Sequence, residues 1–249
     1  MTAHRLAAVI PVKSFSDAKQ RLQPVLSAGE RRLLARAMFE DVMATLTQCP
    51  SLTGVYVITS DPQAAQLAAD MGVKTLRDPV IGGLSGAIAS AAQTLKKAGM
   101  EGMLVVPADV PGIDPQSVRR IIRHHAASRS VTLVPALRDG GTNAMLCSPP
   151  DAIPNCFGHN SFRAHCQLAA SSGVQLNTLS LPQLQYDIDR PLDLLSFLHQ
   201  ESATRTYRFL VQSGIADRLR HTSRTAFSLA GTFFPYAEQT PAISSIHKG

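Results

Sequence analysis

Tryptophan is absent from this chain, and aromatic residues make up only 5% of it. No zinc-finger spacing and no RNP-like aromatic strand accompanies them, which argues against a nucleic-acid-binding module. The four cysteines, Cys49, Cys147, Cys156 and Cys166, include no Cys-x-x-Cys pair. A zinc knuckle or redox dithiol is thereby set aside, and the cysteines read as reduced thiols of a cytoplasmic protein. No apolar run approaches the roughly 20 residues of a membrane span. The N-terminus also lacks a basic segment followed by a long apolar stretch, so Leu6 to Val12 reads as a buried strand and not as a signal peptide. The P-loop and a complete Gly-x-Gly-x-x-Gly are missing too, which removes two familiar phosphate cradles.

What is present is a globular composition with a mildly basic surface. The chain has 249 residues, 24 basic against 18 acidic, and a net charge of +6. Half of that excess lies from Gln200 onward, leaving a body suited to an anionic small substrate. Strand-like runs alternate with helical patterns. Leu6–Val12, Val55–Thr59, Val73–Leu76, Met103–Pro107, Val131–Pro135, Ala144–Cys147 and Val174–Leu179 read as strands. Between them, Ser27 and Glu30 form a capping box opening a helix to about Thr47, with Leu33, Leu34, Ala37, Met38, Val42 and Leu46 at helical spacing. Pro62 and Pro115 open further helices, and Ser85–Ala98 and Ser161–Ser171 read as two more. This order predicts an α/β fold, a mostly parallel sheet with helices on both faces, whose ligands bind beyond the carboxyl ends of the strands. Residues 1–199 read as one domain. Residues 200–249 read as a helical extension, its pattern running from beyond Leu195 to about Leu219, followed by a partly ordered tail that includes the aromatic stretch Phe227–Tyr236.

The acidic residues are the most informative. Asp187 and Asp189 flank Ile188 just before Pro191, which can start a helix. In extended chain, side chains two apart share a face, so the pair aims at one point. Asp109 ends the apolar run Met103–Ala108. Three carboxylates at strand ends suit a hard cation such as Mg²⁺, and Mg²⁺ commonly accompanies phosphate chemistry. Lys13, Lys19 and Arg21 follow the first strand on one loop, able to hold a triphosphate or to be merely solvated. Asp139-Gly140-Gly141-Thr142-Asn143 is either an anion-binding nest or a plain hairpin. Phe157-Gly158-His159-Asn160-Ser161 precedes a helix, as an anion site or as a cap by Asn160. His165, one turn on, reads as structural more readily than catalytic.

Taken in order, these segments resemble the guanylyltransferases of coenzyme F420 biosynthesis. The matching pieces are Pro11-Val12-Lys13 with Ala18-Lys19-x-Arg21-Leu22, Gly83-Leu84, Pro107-Ala108-Asp109-Val110-Pro111, Asp139 to Asn143, Phe157-Gly158-x-x-Ser161-Phe162 with His165, and Asp187-Ile188-Asp189-x-Pro191-x-Asp193-Leu194. They span about Leu6 to Leu195. The resemblance implies a GT-A-like nucleotidyltransferase fold and condensation of GTP with a small phosphorylated three-carbon acid, releasing pyrophosphate. It implies Mg²⁺ on Asp109, Asp187 and Asp189, and triphosphate contacts from Lys13 and Lys19, with Arg21 beside them. It also implies an acceptor carboxylate held by Thr142, Gly158 and Ser161, and guanine near Gly83-Leu84-Ser85. Ser85 stands where the resemblance leads one to expect Asn, offering a hydroxyl in place of a paired donor and acceptor.

The expected chemistry needs no general base. The acceptor's phosphate is the nucleophile, and its second pKa near about 6 leaves it largely dianionic at neutral pH. Other readings are a nucleotidyltransferase with a sugar-phosphate or molybdopterin-type acceptor, a non-catalytic nucleotide-binding module, and, last, a nucleic-acid binder. The choice among 2-phospho-L-lactate, phosphoenolpyruvate and 3-phospho-D-glycerate is left open, as is assembly into a homo-oligomer; no membrane partner is expected.

Overall fold

The computed structural model describes residues 5–79, 82–126 and 129–221. Its strands are β1 (Leu6–Pro11), β2 (Gly54–Thr59), β3 (Lys74–Arg77), β4 (Gly102–Val105), β5 (Ser130–Pro135), β6 (Thr142–Ser148) and β7 (Gln175–Thr178). They form one sheet in the order β3-β2-β1-β4-β6-β5-β7. β6 alone runs against the others, paired antiparallel with β4 and β5, and every other pairing is parallel. The expected mostly parallel sheet is present.

The helices are α1 (Ala28–Thr47), α2 (Pro62–Asp70), α3 (Gly83–Lys97), α4 (Pro115–His124), α5 (Ser161–Ser171), α6 (Pro191–Leu198) and α7 (Arg205–Gln212). Strand residues alternate between two cores, as a period of two requires. Ala8, Ile10, Leu104 and Leu146 join Leu34, Met38 and Val42 of α1 on one face. Ala7, Val9, Met103 and Met145 join Ile88 and Leu95 of α3 and Ala169 of α5 on the other. The helix starts carry the expected signals. Ser27 Oγ accepts from the Glu30 amide while Glu30 Oε2 accepts from the Ser27 amide. Asp61 and Asp114 cap α2 and α4 ahead of Pro62 and Pro115.

Three local expectations are corrected. Leu33, placed with the apolar residues of α1, is 46% exposed, because only one stripe of that helix meets the sheet. α3 starts at Gly83, two residues before Ser85. The helical pattern beyond Leu195 is broken between α6 and α7 and again after Gln212, with 215–221 helical. The division drawn at residue 200 falls in the α6–α7 connection. Leu210, Ile215, Ala216 and Leu219 beyond it are buried in the same core as α1, so the packing is continuous across it. Phe227–Tyr236 lies outside the described residues.

The α7 segment is held by one buried carboxylate. Asp41, on α1 and 6% exposed, accepts from the amides of Arg205 and Thr206 at 2.8 Å and from the Thr206 hydroxyl at 2.7 Å. These amides belong to the first turn of α7, which has no intrahelical partners for them. Replacing Asp41 with Ala leaves three donors unsatisfied. Asp41→Ala is expected to lower stability by about 2–4 kcal/mol. Urea unfolding followed by circular dichroism checks this, and an unchanged midpoint would contradict it.

Candidate active site at one edge of the sheet

Strand order reverses between β1 and β4. α1 and α2 cross on one face and α3 on the other, so the connections diverge and leave a crevice at the carboxyl ends of β1 and β4. Lys13 lies just after β1 and Asp109 just after β4. Because β6 runs backwards, it begins at this same edge and brings Thr142 and Asn143 there.

The segment carrying Asp187 and Asp189 is stitched into the crevice by its backbone. The Ile188 amide donates to the Asp109 carbonyl at 3.0 Å, and the Leu137 amide donates to the Gln185 carbonyl at 2.9 Å. Buried Asn143 donates from Nδ2 to the Leu184 carbonyl at 2.8 Å. Ile188 is buried, so its neighbours on either side turn the other way, as the extended-chain argument requires. One oxygen from each of Asp109, Asp187 and Asp189 lies within 4.8 Å of the others. Asp193 locks the end of this segment: its Oδ2 accepts from the amides of Asp189 at 3.0 Å and Arg190 at 2.6 Å. Its other oxygen pairs with Arg138, whose guanidinium lies 5.6 Å from the Tyr186 ring centre. The sequence reading assigned roles to neither Asp193 nor Arg138. The signal for the first was its place at the third residue of a proline-started helix.

Lys19 is not a free phosphate contact here. Its ammonium lies 2.6 Å from Asp109 and 2.8 Å from Asp189, with its side chain 8% exposed. Arg21 lies 3.1 Å from the other oxygen of Asp189. Burial opposes a charged Lys19, but Asp109 and then Asp189 outweigh it and raise its pKa. The carboxylates differ accordingly. Burial, then the charge of Asp109, pushes Asp187 up to about 6. Burial acts on Asp189 too, but Lys19 and Arg21 prevail and hold it below the usual range. Lys19 has a left-handed backbone (φ 57°), uncommon for a side chain with a Cβ. Its loop is tied down where the Phe15 amide donates to Asp61 at 3.0 Å.

Next to this cluster is a cavity of about 450 Å³ lined by Lys13, Asp17, Lys19, Leu84, Asp109 and Phe157, among others. Lys13 is exposed on it. Gly83, Leu84 and Ser85 form the first turn of α3, whose leading amides lack intrahelical partners; of the three, Leu84 lines the cavity. Gly82 caps this turn with φ 88°, and a Cβ there would come within 3.2 Å of the Gly86 Cα.

Thr142 and Ser161 are 4% and 1% exposed and touch each other. Ser161 donates its hydroxyl to Thr142 Oγ1 at 3.2 Å. The Ser161 amide donates to the Gly158 carbonyl and the Phe162 amide to the Gly140 carbonyl, so part of the helix N-terminus is already engaged. Asn160 stands at the cap position with φ 56° but makes no side-chain cap. The hairpin glycine Gly140 is what lets Asn160 approach: a Cβ there would meet Asn160 Oδ1 at 2.8 Å. Gly158 is exposed. His165 is fully buried between Thr142 Oγ1, 3.0 Å from Nδ1, and the Cys156 amide, 3.2 Å from Nε2.

Comparison with known proteins turns this geometry into a family assignment. The profile described as "Guanylyl transferase CofC like" matches residues 6–230. The chain belongs to the CofC-like guanylyl transferase family. It is 34% identical over 188 residues to a phosphoenolpyruvate guanylyltransferase of Conexibacter woesei, covering 75% of this chain and 84% of that one. It is 30% identical over 222 residues to a 2-phospho-L-lactate guanylyltransferase of Methanothermobacter thermautotrophicus, covering 86% and 97%. Among solved structures, a candidate nucleotide-diphospho-sugar transferase of Desulfovibrio desulfuricans superposes with a TM-score of 0.72 at 16% identity, over 88% of this chain and 98% of that one. That likeness supports the GT-A-like fold. No helix among the described residues is long and apolar enough to cross a membrane.

In this CofC-like protein the buried histidine makes stability pH-dependent. Burial pushes His165 down to about 4, whereas unfolded it protonates near about 6.5. Between those values the unfolded chain binds the extra proton, so this residue costs stability as pH falls through the window and leaves it intact above. Asp187 acts in the opposite sense, because its raised pKa favours the fold as pH falls. Comparing wild type with His165→Asn isolates the histidine. Between pH 7.5 and 5 the wild type is expected to lose about 1–2 kcal/mol more than the variant. Parallel urea-denaturation profiles would refute a neutral buried imidazole.

Proposed function

We propose that this family member condenses GTP with a small phosphorylated three-carbon acid, giving a GDP-linked product and pyrophosphate, as a step of coenzyme F420 biosynthesis. The observation that carries this reading is the meeting of three carboxylates, a lysine-edged cavity and the Thr142–Ser161 pair at one edge of the sheet. The names of the relatives support it, since they share guanylyl transfer and differ in the acid. The cavity holding Lys13, Leu84 and Phe157 is read as the GTP site. The Thr142, Gly158 and Ser161 corner is read as the acceptor site, and the cytoplasm as the compartment.

The donor set suits Mg²⁺: three carboxylate oxygens close together, with no thiolate or imidazole among them. Mg²⁺ held by Asp109, Asp187 and Asp189 would supply charge neutralisation and a template for in-line displacement. The protein's own groups do the rest. Lys13 and Lys19 bring positive charge to the edge where two anions must meet. Two unit charges 4 Å apart repel by roughly 4 kcal/mol at an effective dielectric near 20, so this charge is large enough to matter. Neither nitrogen of His165 is free to take a proton from a ligand, which agrees with a nucleophile that needs no base. Thr142 and the Gly158 turn hold the acceptor's carboxylate end and leave its phosphate to attack the α-phosphorus of GTP.

The test is an endpoint assay by mass spectrometry. The protein is incubated with Mg²⁺, GTP and each of 2-phospho-L-lactate, phosphoenolpyruvate and 3-phospho-D-glycerate, with ATP, CTP and UTP as controls. A GDP-linked adduct with one acid, lost on adding a chelator, is expected. No adduct from folded protein that still binds GTP would mean that the acceptor is a different one. In the same assay Asp109→Ala is expected to lower kcat by at least about 10²-fold. Turnover near the wild-type rate in folded Asp109→Ala protein would sink the assignment.

A further inference from the structure

His165 has no part in the chemistry above, yet it joins three segments that form the acceptor corner. It lies on α5, the helix that begins at Ser161. Its Nδ1 is 3.0 Å from Thr142 Oγ1 on β6, and its Nε2 is 3.2 Å from the amide nitrogen of Cys156, two residues before Gly158. The Phe157 ring meets it edge-on, with centroids 5.0 Å apart.

The hydrogen-bond partners settle which nitrogen carries the proton. A backbone amide can only donate, so Nε2 accepts from Cys156 and carries no hydrogen. A neutral imidazole has one N–H, which is therefore on Nδ1 and donates to Thr142 Oγ1. Ser161 donates its hydroxyl to the same oxygen. Both lone pairs of Thr142 Oγ1 are then occupied, and its own hydrogen must point away from both partners. Protonating the ring would place an Nε2–H against the Cys156 N–H, and burial already opposes the charge. Thr142 is thus a donor only. Such a hydroxyl matches a carboxylate, which only accepts, and mismatches an ammonium group, which only donates.

We propose that His165 is a positioning residue that fixes the Thr142 hydroxyl as a donor to the acceptor's carboxylate and so favours a hydrogen-bond-accepting group over a donating one at that position. This rests on the reading of Thr142 as part of the acceptor site.

Two measurements test this on the full-length protein. The first is a long-range ¹H–¹⁵N spectrum of histidine-labelled protein at pH 7, with the His165 signals identified by their loss in His165→Asn. A neutral ring protonated on Nδ1 is expected; a ring protonated on Nε2 overturns the proposal. The second is kinetics with GTP, Mg²⁺ and whichever acid is turned over. His165→Phe is expected to raise the acceptor KM about tenfold or more, the scale of losing a hydrogen bond to a charged group, with the GTP KM unchanged. His165→Asn places an N–H near the lost Nδ1–H and should recover much of the acceptor KM, whereas His165→Gln should not. An unchanged acceptor KM, or equal rises for both substrates, overturns the proposal. Should the Phe variant fail to fold, the Asn and Gln pair carries the comparison. Should no acid be turned over, the functional reading fails by itself and the tautomer spectrum still decides the hydrogen-bond assignment.

Discussion

Three carboxylates crowded into one small volume repel one another, and the Lys19 ammonium is the charge that lets Asp109 and Asp189 share that volume. At a few ångströms, each uncompensated pair would oppose the fold by several kcal/mol at the effective dielectric of a protein surface. Lys19 is held in place from both sides: by a loop anchored where Phe15 meets Asp61, and by two carboxylates of its own. Its left-handed backbone is a local strain that this anchoring sustains, and strain of this kind concentrates at functional sites. Arg21 adds to the hold on Asp189, while burial and Asp109 act on Asp187. The cluster is therefore unequal, with Asp187 the member most ready to accept a proton. A divalent cation entering it would replace a lysine that the fold already supplies.

Topology explains why distant segments reach this point. The reversal of strand order between β1 and β4 makes the crevice, and the Lys13–Lys19 loop and Asp109 follow from being the next residues along. The proposed acceptor corner depends on a single antiparallel strand. Had β6 run parallel to β4, Thr142 would begin at the opposite edge of the sheet. Its reversed direction places the hairpin Asp139–Gly141 between the turn at Gly158 and the segment at Gln185, where backbone hydrogen bonds join both. The two sides of the site thus meet across one hairpin, and Arg138 on that hairpin holds Asp193, the residue that fixes the amides of Asp189 and Arg190.

What was legible in the sequence was local. The Ser27–Glu30 box, the helices opened by Pro62, Pro115 and Pro191, the alternation of the strands and the shared face of Asp187 and Asp189 all depend on residues within one turn or one strand of each other. The family motifs added the site as a set. What could not be read was long-range pairing. Lys19 meets partners 90 and 170 residues away, and nothing nearby in the chain distinguishes it from the exposed Lys13. Asp41 sits inside a long helix pattern as an ordinary polar residue, and its importance comes from amides more than 160 positions later. Asn160 had the residue type of an N-cap but takes a left-handed turn and packs closely against Gly140 of another segment.

The proposed acceptor corner bears on how closely related sites could serve different acids. Ser161 spends its hydroxyl on Thr142, and the amides of Ser161 and Phe162 are spent on carbonyls. On the proposed reading, the two charged ends would be recognised by polar groups, and a methyl, a double bond or a hydroxyl would be told apart by shape. Apolar discrimination of one carbon amounts to about 1–3 kcal/mol, which one or two wall residues can supply or remove. Relatives whose names differ only in the acid are what such a site would produce. On the proposed reading, discrimination among acids would fall to the residues around Phe157 and Gly158, and the grip on the carboxylate to Thr142 with the histidine behind it.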